Sequence, residues 1–203
     1  KIGLVYNFNR EEADLTKSLV HPYVPRFPRH VSYDLVLFGS WRRKGVYVGE
    51  KQIASPGSYP VAGFNFAPMY NLNYKLRFGV SLDGVYDGSA NVYTEDALVE
   101  YDAGSGSSRR KFLVPGIQNQ LALGLSGRAE YVMPFFTIGV GLGTNVLGRG
   151  NLRGLYQVFA LKINVTRSSF LHIGYNLQDF QTPNYLMLGL GFRFNNKYPK
   201  VRH

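Results

Sequence analysis

The sequence predicts an all-β fold, an eight-stranded antiparallel up-and-down transmembrane β-barrel. Three observations carry that expectation. Between residues 30 and 195, large apolar residues alternate one for one with polar or small residues, the period of a strand with two different faces. The connections between the runs go long, short, long, short, long, short, long, as loops on one side of a bilayer and turns on the other require. Lysine, arginine and glycine share one face of the runs, and large aliphatics and aromatics the other. A soluble closed barrel would show the reverse, apolar inside and charged outside. On a lipid face, an Arg or Lys at mid-bilayer would cost about 2 to 4 kcal/mol.

The elements follow in order. In 30–42, Val31, Tyr33, Leu35, Leu37 and Trp41 oppose His30, Ser32, Asp34, Ser40 and Arg42. The second strand, 61–71, turns Phe64, Phe66 and Tyr70 outward. The third, 74–87, sets Tyr74, Leu76, Phe78, Val80, Leu82 and Tyr86 against Lys75, Arg77, Ser81, Asp83 and Asp87. No helix with one apolar stripe has this pattern. Segment 113–126 presents Ile117, Leu121, Leu123 and Leu125, and 130–144 presents Val132, Phe136, Ile138, Val140 and Leu142. Strands 154–166, 168–177 and 184–195 complete the barrel. Tight turns are expected at 72–73, 127–129 and 166–168, and longer loops at 44–58, 88–112, 145–153 and 178–183, where Gly, Pro, Ser and charge collect.

Composition agrees with a glycine- and tyrosine-rich barrel: 15% aromatic residues, 23 glycines and no cysteine, hence no disulfide framework and no thiolate chemistry. No run approaches 18 apolar residues, the length a membrane-spanning helix needs. A mean hydropathy of -0.15 is compatible with a barrel, which hides half of each strand from lipid. The location this implies is integral in the bacterial outer membrane.

The formal charge of +10 points to acidic partners. Arg42, Arg43, Lys44 and Lys51 fall in or beside the first long loop, Arg109, Arg110 and Lys111 end the second, and Arg149 and Arg153 flank the third. On the loop side these would face lipopolysaccharide phosphates. Arg42, Arg43, Lys44, Arg109, Arg110 and Lys111 are the candidate contacts, with solvated loop charge as the plain alternative. Nucleic acid is disfavoured, because the basic residues are scattered and form no recognisable binding motif.

Other charges fall inside. Lys75, Arg77, Lys162, His172 and Arg193 share lumen parity with Asp34 and Asp83. Side chains fill the interior of an eight-stranded barrel, so these groups must pair or reach water. They read as a structural polar plug, with His172 hydrogen-bonded to neighbours such as Asn176, which disfavours a solute pore. Gly139, Gly141, Gly143, Gly174, Gly189 and Gly191 lie on the same crowded face.

The N-terminal stretch Gly3-Leu4-Val5-Tyr6-Asn7-Phe8-Asn9 echoes Gly189-Leu190-Gly191-Phe192-Arg193-Phe194-Asn195. Residues 1–9 therefore read as the last strand of a preceding copy, 10–29 as a linker with Pro22, Pro25 and Pro28, 30–195 as the barrel, and 196–203 as a polar tail.

Near the C-terminus the run His172-Ile173-Gly174-Tyr175-Asn176, followed by Pro183-Asn184, resembles the outer-membrane lipid A 3-O-deacylases and the acyloxyacyl hydrolases. The resemblance implies an eight-stranded barrel whose penultimate strand ends in His-x-Ser-Asn. A Pro-Asn follows, and an acidic residue early in the last strand completes a Ser-His-Glu triad for hydrolysis of a lipid A acyl ester. The chain departs from that pattern. Ungapped alignment from Pro183 puts Gly174 at the histidine and Asn176 at the serine, whereas a shift by two recovers His172 but puts Gly174 at the serine. No Asp or Glu follows Asp179. The expectation is a degenerate second copy with no catalytic residue visible here, forming the non-catalytic C-terminal part of a lipid A ester hydrolase-like protein. The alternative is a non-enzymatic scaffold that binds other envelope proteins.

No cofactor or metal site is expected. The four histidines have no paired spacing for zinc, and Glu95, Asp96, Glu100 and Asp102 do not match an EF-hand. Gly139-Val140-Gly141-Leu142-Gly143 continues a strand with no helix after it, unlike a phosphate loop. Gly104-Ser105-Gly106-Ser107-Ser108 reads as a loop tip, not a nucleophile elbow.

Overall fold

The computed structural model describes residues 26–43, 45–48, 51–54, 57–102, 107–180 and 182–198. The strands are β1 (His30–Arg42), β2 (Gly45–Val48), β3 (Lys51–Ala54), β4 (Tyr59–Asn71), β5 (Leu76–Asp87), β6 (Tyr93–Asp102), β7 (Ser107–Leu113), β8 (Leu121–Val132), β9 (Phe136–Leu147), β10 (Leu155–Asn164), β11 (Ser169–Gln178) and β12 (Thr182–Phe194). Eight of them close into an antiparallel barrel in the order β1-β12-β11-β10-β9-β8-β5-β4. The seam is sealed by β1 against β12, with Asp34 opposite Arg193 and Leu37 opposite Leu190. Closure leaves the barrel sheet without an edge, the condition for strands to cross hydrocarbon. The expected segment 1–9, residues 10–25 of the expected linker 10–29, and residues 199–203 of the tail lie outside the described residues.

Alternation decides which side of the wall each residue takes. Leu188 is 48% exposed and its neighbour Met187 only 1%. The outer wall is aliphatic and aromatic along its length, with Val80, Leu125, Ile138, Val140, Phe159, Leu171, Ile173 and Leu190 all exposed. Trp41 near the loop side and Phe135 in a turn stand well out, at 77% and 80%, where aromatic girdles meet the two membrane interfaces. Strands of 10 to 13 residues run about 33 to 43 Å, or about 25 to 33 Å along the membrane normal at a tilt of about 40°, enough for an apolar band about 25 Å tall.

The fourth and fifth barrel strands start later than expected. The turn between them is 133–135, around Pro134, and not 127–129. Proline has no N–H for a ladder and ends β8, whereas Gly127 pairs with Val80 inside a continuous β5–β8 register. Residues 114–120 form loop and a short 3-10 turn (Ile117–Asn119) instead of strand. Two loops expected to be irregular carry hairpins of their own, β2 with β3 and β6 with β7. The last loop is 179–181, shorter than expected, and holds Asp179 and Phe180 at positive φ, 51° and 61°.

Glycines inside the barrel make room for large partners. A Cβ on Gly141 would come within 2.7 Å of Arg128 Cδ, and one on Gly191 would overlap the Phe170 ring. An apolar cluster of Val36, Phe38, Val61, Tyr156, Val158, Phe170, Tyr185 and Met187 fills part of the lumen.

Candidate functional site

Most of the charge buried in the lumen is gathered into two networks. The first centres on Asp34 of β1, which directly opposes Arg193 of β12. Arg193 donates from Nε at 2.9 Å and Nη2 at 3.2 Å, Lys162 Nζ at 2.9 Å, and Arg77 Nη2 also donates to the same carboxylate. Glu130 of β8, opposite Arg77 in the ladder, lies 2.6 Å from Lys162 Nζ and 2.9 Å from Arg77 Nε. Five strands thus converge on one cluster. It holds three cations against two carboxylates, with side chains at most 6% exposed. Phe170 takes up part of the excess: Lys162 Nζ sits 4.9 Å and Arg193 Cζ 5.2 Å from its ring centre.

The second network is built on Asp83 of β5. Asn65, Ser81, Ser126 and Tyr156 each donate to it at 2.6 Å, and Arg128 Nη2 at 2.9 and 3.0 Å. A buried carboxylate is tolerated only when its lone pairs are met in this way. At the loop-side mouth Arg42 pairs with Asp87 at 3.1 Å and also donates to Asn184 Oδ1. Asp87 in turn accepts from the Ser89 amide and hydroxyl.

The structure thus brings together Asp34, Arg77, Lys162 and Arg193, with Asp83 in the neighbouring network. Lys75 is a correction: it belongs to the turn before β5, is exposed at the turn-side mouth, and joins neither network. His172 faces inward and is 3% exposed. The expected bond to Asn176 is absent: neither ring nitrogen has a hydrogen-bond partner among the described residues, and Asn176 accepts from Asn184 instead. Around His172 is a cavity of about 20 Å³ shared with Asp34, Asn65, Glu130 and Lys162, about the room one water needs.

Of the candidate lipopolysaccharide contacts, Arg42 pairs with Asp87 at the loop-side mouth, its side chain 22% exposed. Arg43 is exposed. Lys44 lies outside the described residues. Arg109, Arg110 and Lys111 fall on β7, where Arg109 is opposite Glu100; their side chains are outside what is described.

Arg128, Glu130 and Tyr156 were missed as network members. Counting inward positions back from Pro134 would have found the first two, because Ala122, Gly124, Ser126, Arg128 and Glu130 hold one parity. Gln157 breaks the rule in the other direction: it has lipid-facing parity but is 4% exposed. Its Oε1 accepts the Phe180 amide at 2.9 Å, tying the last loop to the wall.

Chemically, the lumen holds charge in place. Among the described residues no serine or threonine hydroxyl hydrogen-bonds a histidine, and no group of three His, Cys, Asp or Glu could hold a metal. His30 is engaged at the turn side, its Nδ1 2.7 Å from Pro28 O and its Nε2 accepting the Lys197 amide at 3.1 Å. Beyond β12, burial raises the pKa of the Tyr198 hydroxyl against the pull of Arg77 and Arg193.

A family model matches residues 31–196, the whole barrel, under the description "Acyloxyacyl hydrolase, C-terminal domain". The chain belongs to this family. It is an outer-membrane barrel of the lipid A deacylase group, as its C-terminal residues suggested. No curated protein matches the chain significantly. Among solved structures it is similar to Ail, the attachment invasion locus protein of Yersinia pestis, in complex with the heparin analogue sucrose octasulfate. That match has a TM-score of 0.40 and 14% identity, and covers 83% of this chain and 100% of that one. Another Ail structure gives 0.41 and 16%, over 81% and 98%. Neisserial surface protein A gives 0.37 and 15%, over 81% and 95%.

Proposed function

We propose that this acyloxyacyl hydrolase family barrel is a non-catalytic, membrane-embedded C-terminal part of a lipid A ester hydrolase-like protein. One observation carries the reading. The imidazole of His172 is sealed in the lumen, with no hydroxyl bonded to it, while a lipid ester approaches from the outer wall. On that wall β11 and β12 present Leu171, Ile173, Tyr175, Leu186, Leu188 and Leu190, which supply neither nucleophile nor base. Gly174 and Asn176, the positions aligned with the family's catalytic pair, have lumen parity, and residues 182–194 contain no acid. The domain contacts lipid through its apolar belt, and Arg43, Arg149 and Arg153, all exposed, suit lipopolysaccharide phosphates at the loop side.

The test is to reconstitute the chain with lipopolysaccharide and follow released acyl chains by mass spectrometry. Release no greater than with boiled protein is expected. Release that disappears in His172→Ala would overturn the reading. The hairpins β2–β3 and β6–β7 give the alternative, a partner-binding barrel, its own foothold. Capture of a defined envelope protein that is lost when β6–β7 is deleted, with the barrel intact, would favour it.

A further inference from the structure

The turn-side mouth of the barrel carries three cations among the described residues. A cavity of about 700 Å³ lies there, walled by Val132, Met133 and Pro134 and bearing Lys75, Arg167 and Arg193. Its size falls in the range of ligand pockets, about 300 to 1,000 Å³. No acidic residue lines it among the described residues. Arg193 is already held by Asp34, but the network behind it carries three cations to two carboxylates. The potential at the mouth is therefore positive, and an occupant with carboxylates and an apolar side chain would fit both wall and charge.

The chain itself supplies such a segment and brings it to the right end. Phe27, just after the first described residue, packs with ring centres 4.8 Å from Tyr74 and 5.1 Å from Tyr198. Both tyrosines line the cavity. Phe27 thus stands at the cavity rim. Upstream runs Glu11-Glu12-Ala13-Asp14-Leu15, which holds three of the chain's 13 acidic residues. About a dozen residues separate it from Phe27, a length that reaches about 20 Å as a random coil and about 35 Å fully extended, so either reaches the cavity. Tethering at that length gives a high effective concentration at the mouth.

We propose that Glu11–Asp14 docks into the turn-side cavity as an intramolecular plug, its carboxylates facing Lys75 and Arg167 and Leu15 against the Met133–Pro134 wall. A chain without native cysteine allows a clean test in lipid vesicles. Ala13→Cys is paired either with Met133→Cys in the cavity wall or with Val146→Cys at the loop-side end, and disulfide yield is measured after mild oxidation. The Met133 pair should form an intramolecular disulfide and the Val146 pair essentially none. Charge reversal with Lys75→Glu and Arg167→Glu should lower the yield about fivefold, as loss of two exposed ion pairs implies. Adding Glu11→Lys, Glu12→Lys and Asp14→Lys should restore it. Mobility on unheated gels reports whether each variant is a closed barrel; where the reversed one is not, Lys75→Gln with Arg167→Gln should give the same drop. Equal yields for the two pairs, indifference to both sets of charge changes, or a disulfide joining two chains would overturn the proposal. The last outcome would assign the cavity to a second copy.

Discussion

Removing the Asp34 carboxylate should be the most damaging single change in the lumen. Asp34→Asn preserves shape but leaves Arg77, Lys162 and Arg193 with Glu130 as the cluster's one carboxylate. Breaking a buried ion pair costs about 3 to 5 kcal/mol because the stranded charge stays desolvated. With a urea slope of about 2 kcal/mol per molar, the unfolding midpoint should fall by about 2 M. The single tryptophan, Trp41, lies on the lipid face at 77% exposure, so its emission in vesicles reports insertion directly. Lys162→Met is the informative partner variant. It leaves Arg77 and Arg193 on Asp34 and Arg77 on Glu130, two charges of each sign. Its midpoint should drop by less than half as much. A drop under about 0.5 M for Asp34→Asn, or the opposite order of the two variants, would refute the reasoning from charge balance.

Tyr156→Phe removes one of the donors to Asp83 and should cost about 1 to 2 kcal/mol in the same titration, since the carboxylate keeps its other partners. Gly191→Val would drive its side chain into the Phe170 ring, for a loss of about 1 to 3 kcal/mol or failure to close, read from gel mobility. Leu188→Arg, near the middle of β12 on the lipid face, should destabilise by about 2 to 4 kcal/mol, while Thr144→Arg at the loop-side end should cost far less. Single cysteines at Leu188 and Met187 should also differ in intact membranes; equal access of both to a water-soluble thiol reagent would contradict the assigned parity.

The faces of the strands were legible in the sequence because a lipid-exposed wall admits almost no exceptions. Each outward position named for β1, β4 and β5 is apolar, and a slip of one residue would place Asp34 or Arg77 in hydrocarbon. Strand ends were less legible. Gly127-Arg128-Ala129 has the look of a turn, yet its backbone stays in the ladder, and Pro134 is what breaks it. That one misplacement hid Arg128 and Glu130, so the networks lacked a cation and a carboxylate. Lys75 failed for a related reason: parity extended past the end of β5 places a turn residue inside. The bond expected between His172 and Asn176 was beyond reach, because Asn176 is claimed by Asn184 of β12, a neighbour that only the register of that strand pair reveals.

The packed interior also determines where this domain can act. Its small cavities, about 20 and 30 Å³, each suit a water molecule. Around them lie the Asp34 and Asp83 networks and an apolar cluster that includes Phe38, Phe170, Tyr185 and Met187. A solute crossing the lumen would have to separate ion pairs whose side chains are at most 12% exposed, each at a cost of several kcal/mol. Anything the barrel does to a lipid must therefore happen on the outer wall or in the loops. On β11 and β12 that wall is aliphatic and aromatic, able to hold acyl chains by dispersion and exclusion of water but not to attack an ester. At the loop side Arg43, Arg149 and Arg153 are exposed, and their charge is not committed to the lumen networks.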